Sequence, residues 1–377
     1  MSQLPVDLPS HLSEGIELQV VPNEQPRTPE ERATILADPG FGQRFTDHMV
    51  VVRWSAATGW HDARLQAYQP FSVDPAAAVL HYAQEIFEGL KAYKRADGTI
   101  VSFRPDANAE RFNTSARRLA MPELPPEAFV AACDALVRID RDWVPNDSEM
   151  SLYLRPFMFA NEPFLGVRPS SEYIFCVIAS PAGPYFGGGV SGVSVYASED
   201  YVRAVPGGTG EAKCGGNYAA SLLAQAQAAA EGCDQVVWLD GVERKYVEEM
   251  GGMNLFFVYG ADPDNVEIIT PDLSGSLLPG ITRRSLLQAA SDLGIKASER
   301  KLSLEQWRED VASGAMTETF ACGTAAVITP VYTCKARTGD FVISTEPGSV
   351  TMRLRDHLLG VQHGTNEDTH SWIHTIG

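Results

Sequence analysis

A segment rich in glycine and proline at residues 181–192, PAGPYFGGGVSG, divides the sequence into two long blocks of strand-like and helix-like patterns. Such a density of Gly and Pro is typical of a linker between domains. The chain has 377 residues and 44% of them are apolar, so each block is long enough to enclose a core of its own. We therefore expect a mixed α+β or α/β protein of two domains: residues 1–181 with an extended arm over about 1–45, a linker at 182–192, and residues 193–377.

Local patterns predict the elements within each block. Alternating apolar residues on either side of Thr58-Gly59 and of Asp97-Gly98 predict two β-hairpins. Asp74 followed by Pro75 is typical of a helix start, and the apolar spacing that follows predicts one helix as far as Leu90. Other helices are expected near Thr28–Leu36, Asp106–Ala120, Pro126–Asp140 and Asn217–Glu231, after Ser303, and near Thr351–Gln362.

The bulk composition argues against several classes of protein. A net charge of -18 repels nucleic acid phosphates and anionic lipid surfaces, so neither is an expected partner. The six cysteines form no CxxC pair and the eight histidines form no HExxH motif, so we expect reduced thiols and no metal site. The N-terminus is polar and contains no run of apolar residues long enough for a membrane helix, which favours a cytoplasmic location.

The segment VPGGTGEAKCGGNYAAS, beginning at Val205, contains the only lysine between Lys94 and Lys245. We call residues 207–216 the lysine loop. It is not a phosphate-binding P-loop, because Ala212 and Cys214 flank Lys213 where that motif requires Gly and Ser or Thr. The separate GxGxxG pattern at residues 187–192 precedes a predicted strand where a dinucleotide-binding motif would open a helix, so we interpret it as linker.

Two interpretations of Lys213 remain. Most lysines are solvated surface residues. The surrounding glycines, however, favour close approach of the backbone to a ligand, and an enclosed lysine of lowered pKa can condense with an aldehyde. A pyridine aldehyde phosphate would further need an anion cradle, an acid for the ring nitrogen and amides for a carboxylate. The segments LPGITRRSLL, YVEEMGGMN (with Glu248 and Glu249) and CGTAAV offer these, although an ordinary helix start explains the first equally well.

Nine segments in order resemble the branched-chain-amino-acid aminotransferases, which are pyridoxal-phosphate enzymes of fold type IV. The resemblance implies a smaller N-terminal α/β domain and a larger C-terminal domain, as in D-amino-acid aminotransferases. It spans about four fifths of the chain, and is carried by the segments FGQRFTDHM, HYAQEIFEGLKAY, RPDANAERF, SLYLRPFMFANEPFLGV, GGTGEAKCGGNYAAS, EEMGGMNLFFV, LPGITR, FACGTAAVITPV and THSWI.

The resemblance also implies roles for individual residues. Lys213 is expected to bind the cofactor aldehyde and to move the substrate proton, Tyr218 to contact the ring hydroxyl, and Glu249 to pair with the ring nitrogen. Arg203 is expected to support the ring. The phosphate would be held by Arg111, Ile281, Thr282 and Thr324. The substrate would be bound by Phe41, Tyr82, Phe87, Tyr153, Arg155, Val167, Tyr185, Thr324 and Ala325.

The implied activity is transfer of the amino group of leucine, isoleucine or valine to 2-oxoglutarate by a homodimer. Arg155 is expected to receive the distal carboxylate of glutamate. Tyr153, Arg155 and Val167 are expected to lie on a loop that reaches the other subunit's site. A D-amino-acid aminotransferase and an aminodeoxychorismate lyase are alternatives of the same fold, and a non-catalytic binding protein is an alternative of another class. Gly252 replaces the threonine of many relatives, and no CxxC pair follows Thr324, so we expect no thiol switch there.

Overall fold

The structure is a computed structural model that describes residues 6–147, 149–183, 191–260, 262 and 265–376. The strands are β1 (His11–Ser13), β2 (Ile16–Val20), β3 (His48–Ser55), β4 (Gly59–Ala67), β5 (Glu85–Phe87), β6 (Leu90–Lys94), β7 (Ile100–Phe103), β8 (Ser151–Ala160), β9 (Glu172–Ala182), β10 (Val193–Ser198), β11 (Gln235–Leu239), β12 (Val247–Met250), β13 (Met253–Tyr259), β14 (Glu267–Thr270), β15 (Lys296–Glu299), β16 (Met316–Gly323), β17 (Val327–Lys335), β18 (Phe341–Val342) and β19 (Ile373–Thr375). The helices are α1 (Pro29–Ala37), α2 (Ala78–Tyr82), α3 (Pro105–Arg118), α4 (Pro126–Ile139), α5 (Gly215–Ala219), α6 (Leu222–Ala230), α7 (Ile281–Asp292), α8 (Leu304–Ser313) and α9 (Ser349–His363).

The described residues form two compact units. The first unit falls within Met1–Tyr185, Ala212–Gly215 and Val361–Gly377, and the second within Phe186–Glu211 and Gly216–Gly360. This division differs from the expected domains, because residues 212–215 and the C-terminal residues belong to the first unit. The backbone explains both differences: Phe87 N–H donates to the Lys213 carbonyl, and β19 pairs with β7. The expected linker falls largely on residues 184–190, which lie outside the described residues.

The first unit is built on one large, mainly antiparallel sheet. Its strand order is β1-β2-β4-β3-β9-β8-β6-β7-β19, and β5 also pairs with β8. Helices α3 and α4 contribute the apolar residues that cover this sheet, and the rings of Phe112, Phe129 and Phe175 meet at its centre. Burial of such large aromatic side chains contributes strongly to the stability of a core. The sheet thus gives a rigid base to the residues between β5 and β8.

The second unit contains a sheet of order β12-β11-β10-β17-β16-β13-β14-β15, with β18 added to β17. Since β12 also pairs with β13, the strands from β10 to β13 together with β16 and β17 form a closed ring. The core of this unit includes Phe257 and Trp307, whose rings lie edge to face at 5.3 Å. Among the described residues, no helix is both long and apolar enough to span a bilayer.

Several predicted elements are confirmed. Both hairpins form, as β3–β4 and β6–β7. Thr28 caps α1 with a complete capping box through Glu31, and the Ser303 side chain caps α8. The helices α3, α4 and α9 lie close to their expected positions. Local capping accounts for the starts of α1 and α8, and turn residues account for the two hairpins.

Two other predictions were wrong. The helix expected from Pro75 to Leu90 is only α2, because Ala83 adopts a left-handed conformation (φ 47°) and the next residues pair with β8 as β5. Within the described residues of the expected N-terminal arm, β1 and β2 join the sheet beside β4, and the single helix is α1. In addition, the helix expected over Asn217–Glu231 is divided into α5 and α6.

Candidate active site

Hydrogen bonds of its own backbone N–H and carbonyl hold Lys213 in the first unit. Its N–H donates to the Ser115 hydroxyl at 2.9 Å, and its carbonyl accepts from the Phe87 N–H at 3.0 Å. An isolated antiparallel bridge joins Cys214 to Ile86. Residues 213–215 therefore run alongside β5, and the Lys213 side chain is half-buried with Nζ at 4.9 Å from the centre of the Phe87 ring.

Four of the predicted substrate residues lie together in the first unit, and two of them, Tyr153 and Arg155, lie on strand β8 and not on the expected loop. The Arg155 guanidinium lies 4.7 Å from the centre of the Phe87 ring and donates to the Tyr153 hydroxyl at 3.2 Å. Phe41 meets the Tyr153 ring edge to face at 5.2 Å. The structure thus brings Phe41, Tyr153 and Arg155 together with Phe87 beside the lysine. Half-buried aromatic rings with cations over them make a site for a partly apolar, anionic molecule.

Arg111 forms a buried ion pair next to this group. Its Nε and one terminal nitrogen donate to the two carboxylate oxygens of Glu88 at 2.7 and 2.8 Å. The amide of Asn108 and the N–H of Gly89 also donate to this carboxylate. Burial alone would raise the pKa of Glu88, but these donors and the Arg111 charge outweigh it and hold the pKa below its usual value. Glu88 therefore fixes the guanidinium in a bidentate geometry.

We predict that Glu88→Ala destabilises the protein by about 3 kcal/mol, because it leaves a buried guanidinium without its counterion. Since the pKa of Glu88 is lowered in the folded state, its contribution is present at neutral pH and is lost as the pH falls through that lowered pKa. Urea unfolding at pH 7 and at acidic pH measures both effects.

The matched control for that measurement is Glu123→Ala. Glu123 also pairs with an arginine, Arg117, but both side chains are about half exposed. Exposed pairs contribute about 0 to 1 kcal/mol, so this variant should unfold almost as the wild type does. Equal losses of unfolding free energy in the two variants would show that the buried ion pair of Glu88 and Arg111 contributes no more stability than the exposed pair.

Glu249 is the centre of a second polar cluster, in the second unit. Its Oε2 lies 2.6 Å from a terminal nitrogen of Arg203, and its Oε1 accepts from Leu278 N–H at 2.9 Å and from the Asn254 amide at 3.2 Å. Arg203 also donates to the Ser276 carbonyl at 2.7 Å. Both charged side chains are at least nine-tenths buried. The neighbouring Arg203 and two further donors, the Leu278 N–H and the Asn254 amide, stabilise a negative charge on Glu249 in this interior.

The adjacent carboxylate, Glu248, belongs to a different environment. It accepts from the hydroxyls of Ser274 and Ser276, and burial raises its pKa. Because β12 alternates its side chains, Glu248 and Glu249 point to opposite faces. The sequence offered both as acids for a ring nitrogen, and the structure distinguishes them by their partners.

Helix α7 begins at two of the predicted phosphate residues. Ile281 and Thr282 are buried, the N-cap residue is Gly280, and no side chain caps the helix start. The first turn contains no acidic residue. A Cβ on Gly280 would lie 2.0 Å from the Asn254 amide oxygen, so this position requires glycine. An uncapped helix start with no nearby carboxylate in its first turn suits an anion.

The remaining predicted residues of the second unit lie on a short helix and a turn. Tyr218 is half-buried on α5, and a Cβ on Gly252 would lie 3.3 Å from its ring. Thr324 and Ala325 form the turn between β16 and β17 and are partly exposed. A side chain at 252 would therefore require the Tyr218 ring to shift slightly.

Two predicted substrate residues are near the surface of the first unit. The Tyr82 hydroxyl donates to the carbonyl of Leu165, and Val167 is 89% exposed on the same loop. Tyr185, another predicted substrate residue, lies outside the described residues. No group of three His, Cys, Asp or Glu side chains in the described part of the chain is placed to hold a metal ion.

A model of the family described as amino-transferase class IV matches residues 85–334. The chain belongs to the class IV aminotransferases. A probable branched-chain-amino-acid aminotransferase of Streptomyces coelicolor is 60% identical over 361 residues, which cover 95% of this chain and 98% of that protein. A branched-chain-amino-acid aminotransferase of Mycolicibacterium smegmatis is 59% identical over 95% of this chain and 98% of its own length.

Among solved structures, this aminotransferase chain is similar to the T.th. branched-chain amino acid aminotransferase with pyridoxamine 5′-phosphate. The TM-score is 0.70 at 29% identity, covering 86% of this chain and 98% of that one. The resemblance drawn from the motifs is therefore confirmed, and so is the expected two-domain fold of type IV.

Two residues of this aminotransferase site were not predicted from the sequence. Glu88, which pairs with Arg111, and Ser115, which binds the backbone of Lys213, were not singled out. Glu88 had a detectable signal, because an acidic residue in the segment EIFEGL is flanked by residues that favour a buried strand. Ser115 had none, since its role arises only when α3 packs beside residues 212–215.

Proposed function

We propose that the chain is a branched-chain-amino-acid transaminase that transfers the amino group of leucine, isoleucine or valine to 2-oxoglutarate with pyridoxal phosphate as cofactor. The observation that carries the proposal is the half-buried Lys213 amine beside Phe87 and Arg155, in a chain with close relatives of that name. An amine next to an aromatic ring and a cation suits both covalent attachment to an aldehyde and recognition of an aliphatic or anionic side chain.

Each unit by itself contains residues that suit this cofactor. The uncapped start of α7 with Ile281 and Thr282 would hold the phosphate, with Arg111 and Thr324 as further donors. Glu249, kept ionised by Arg203, would pair with the ring nitrogen, and Tyr218 would donate to the ring hydroxyl. When bound, pyridoxal phosphate supplies an aldehyde for the amino group and a ring that withdraws electrons from the substrate Cα.

The side chains then divide the chemistry of the two half-reactions. The Lys213 amine would remove the proton from the substrate Cα, hold it, and give it back when the second half-reaction runs in the opposite direction. The amides of Thr324 and Ala325, with the Tyr82 hydroxyl, would hold the α-carboxylate. Phe41, Phe87, Tyr153 and Tyr185 would exclude water around a branched aliphatic chain.

We also propose a cytoplasmic homodimer in which the loop that bears Val167 completes the other subunit's site. The exposure of Val167 and of the neighbouring Leu165, at 89% and 68%, supports this, because monomers rarely leave adjacent large apolar side chains uncovered. The strongly acidic composition is consistent with a protein that avoids nucleic acid and lipid surfaces.

A half-reaction assay tests the proposed function. The purified holoenzyme should convert L-leucine, L-isoleucine, L-valine and L-glutamate to their 2-oxo acids with comparable efficiency, and the D-enantiomers at least about a hundredfold more slowly. The D-enantiomers should react more slowly because their Cα hydrogen would not point toward the Lys213 amine. Preferential turnover of D-amino acids, or release of an aromatic product from an amino chorismate, would assign the chain to one of the alternatives.

A further inference from the structure

Glu85 is a half-buried carboxylate beside the lysine loop that the proposed roles leave unused. It lies on β5, and its carboxylate accepts from the N–H of Gly215, two residues after Lys213. A Cβ on Gly215 would lie 1.8 Å from Glu85 Oε1, so the carboxylate occupies the space that any other residue would fill. This contact fixes the negative charge in place rather than leaving it on a mobile side chain.

Arg155 extends toward the same place. In the antiparallel pairing of β5 with β8, Phe87 lies opposite Phe157, so Glu85, Phe87 and Arg155 share one face of the sheet. The guanidinium is packed on the Phe87 ring, and its positive charge acts on Glu85. Its Nε is buried and has no hydrogen-bond partner among the described residues. Arg155 also makes no ion pair within that part of the chain, so its charge is balanced only at longer range.

We infer that Glu85 is a resident counterion of Arg155 that sets the balance between aliphatic and dicarboxylate substrates. The inference rests on the proposed function, in which Arg155 receives the distal carboxylate of glutamate. With an aliphatic substrate bound, Glu85 compensates the guanidinium charge that the substrate leaves unpaired. With a dicarboxylate bound, Glu85 places a second negative charge near the same guanidinium and weakens its affinity for the ligand.

The environment of Glu85 supports this role. Burial raises its pKa, against the opposing effects of the Gly215 N–H and the Arg155 charge. The Glu85 carboxylate is costly to keep ionised because it is partly buried, and the nearby Arg155 charge offsets part of that cost. Glu85 therefore differs from an ordinary surface ion pair, and its charge serves to balance that of Arg155. A neutral residue at this position would favour the ligand that brings its own second carboxylate.

Binding of two unreactive acids to the holoenzyme tests the inference. Glutarate has a distal carboxylate, whereas 4-methylvalerate has the branched end of leucine, and neither has an amino group to transfer. Calorimetry on the wild type and on Glu85→Gln should show the affinity ratio of glutarate to 4-methylvalerate rise about fivefold in the variant. Glutamine keeps an oxygen to accept from Gly215, so the change removes charge and little else. An unchanged or lower ratio overturns the inference.

A double-mutant cycle separates charge balance from a merely structural role. In an Arg155→Gln background, Glu85→Gln should leave the ratio within about twofold of the Arg155→Gln value, because the charge that Glu85 balances is gone. The same rise in both backgrounds would mean that Glu85 acts without Arg155. If Glu85→Gln does not fold, Glu85→Ser also removes the charge and must raise the ratio. Wild type that binds neither acid and transaminates nothing would instead refute the proposed function, and this inference with it.

Discussion

Replacing Lys213 with alanine is expected to abolish transamination while leaving the protein folded. The amine is the group that we propose moves the substrate proton, and loss of such a positioned base costs about 10² to 10⁴ in rate. The backbone hydrogen bonds of this residue, to Ser115 and from Phe87, do not depend on its side chain. Single-turnover assays with L-leucine should therefore show a rate lower by at least about a thousandfold, and the melting temperature should change little.

The matched control for this experiment is Lys301→Ala. Lys301 also lies over an aromatic ring, with Nζ at 5.0 Å from the centre of Tyr246, compared with 4.9 Å for Lys213 over Phe87. It is exposed, and nothing assigns it a part in the reaction. Its removal should leave the single-turnover rate within about twofold of the wild type. Borohydride reduction of the holoenzyme should label a peptide containing Lys213 and none containing Lys301.

An alanine variant at 213 that still transaminates L-leucine at near the wild-type rate would contradict the central role of this residue. So would a large fall in melting temperature with a proportionate fall in activity, since the loss would then come from unfolding. Addition of a small primary amine distinguishes the cases further. It should restore part of the rate if the missing group is a base, and none if the fold is damaged.

The elements that the sequence predicts correctly are those with local causes. The side chain of Thr28 and that of Glu31 reciprocally cap α1 within one turn, and Asp97-Gly98 needs only its own backbone preferences to form a hairpin. No distant residue has to be known for either prediction. The site residues are also predictable from local sequence, because Lys213, Glu249 and Thr282 each lie in a short segment that can be recognised by itself.

The failures come from contacts between distant parts of the chain. The segment after Pro75 has helical spacing, but pairing of Glu85–Phe87 with β8 outweighs that preference, and Ala83 accepts a left-handed conformation to allow the turn. Likewise, no local pattern shows that residues 373–375 return to pair with β7. The partner of Arg111 was missed for the same reason: Glu88 is 23 residues away in sequence.

Replacing Glu249 with glutamine should reduce the rate of proton removal about a hundredfold or more while most of the cofactor is retained. The proposed role of this carboxylate is to hold a proton on the ring nitrogen, and a neutral amide cannot supply that charge. In the wild type, a terminal nitrogen of Arg203 lies 2.6 Å from Glu249 Oε2. Glutamine would place either an NH₂ group or an uncharged oxygen at that position, so some loss of stability is expected as well. The measurements are the single-turnover rate with L-leucine and the cofactor content after dialysis.

Glu248→Gln provides the control that makes this result interpretable. Glu248 is the preceding residue on the same strand and is also buried, but its partners are the hydroxyls of Ser274 and Ser276, and those can donate to or accept from an amide. Its removal should therefore leave the rate close to that of the wild type. If both glutamine variants lose the same activity, the effect belongs to the packing of β12. If only Glu249→Gln slows proton removal, the charge on this one carboxylate is what the chemistry requires, and the ion pair with Arg203 is a contact that stabilises that charge in the interior.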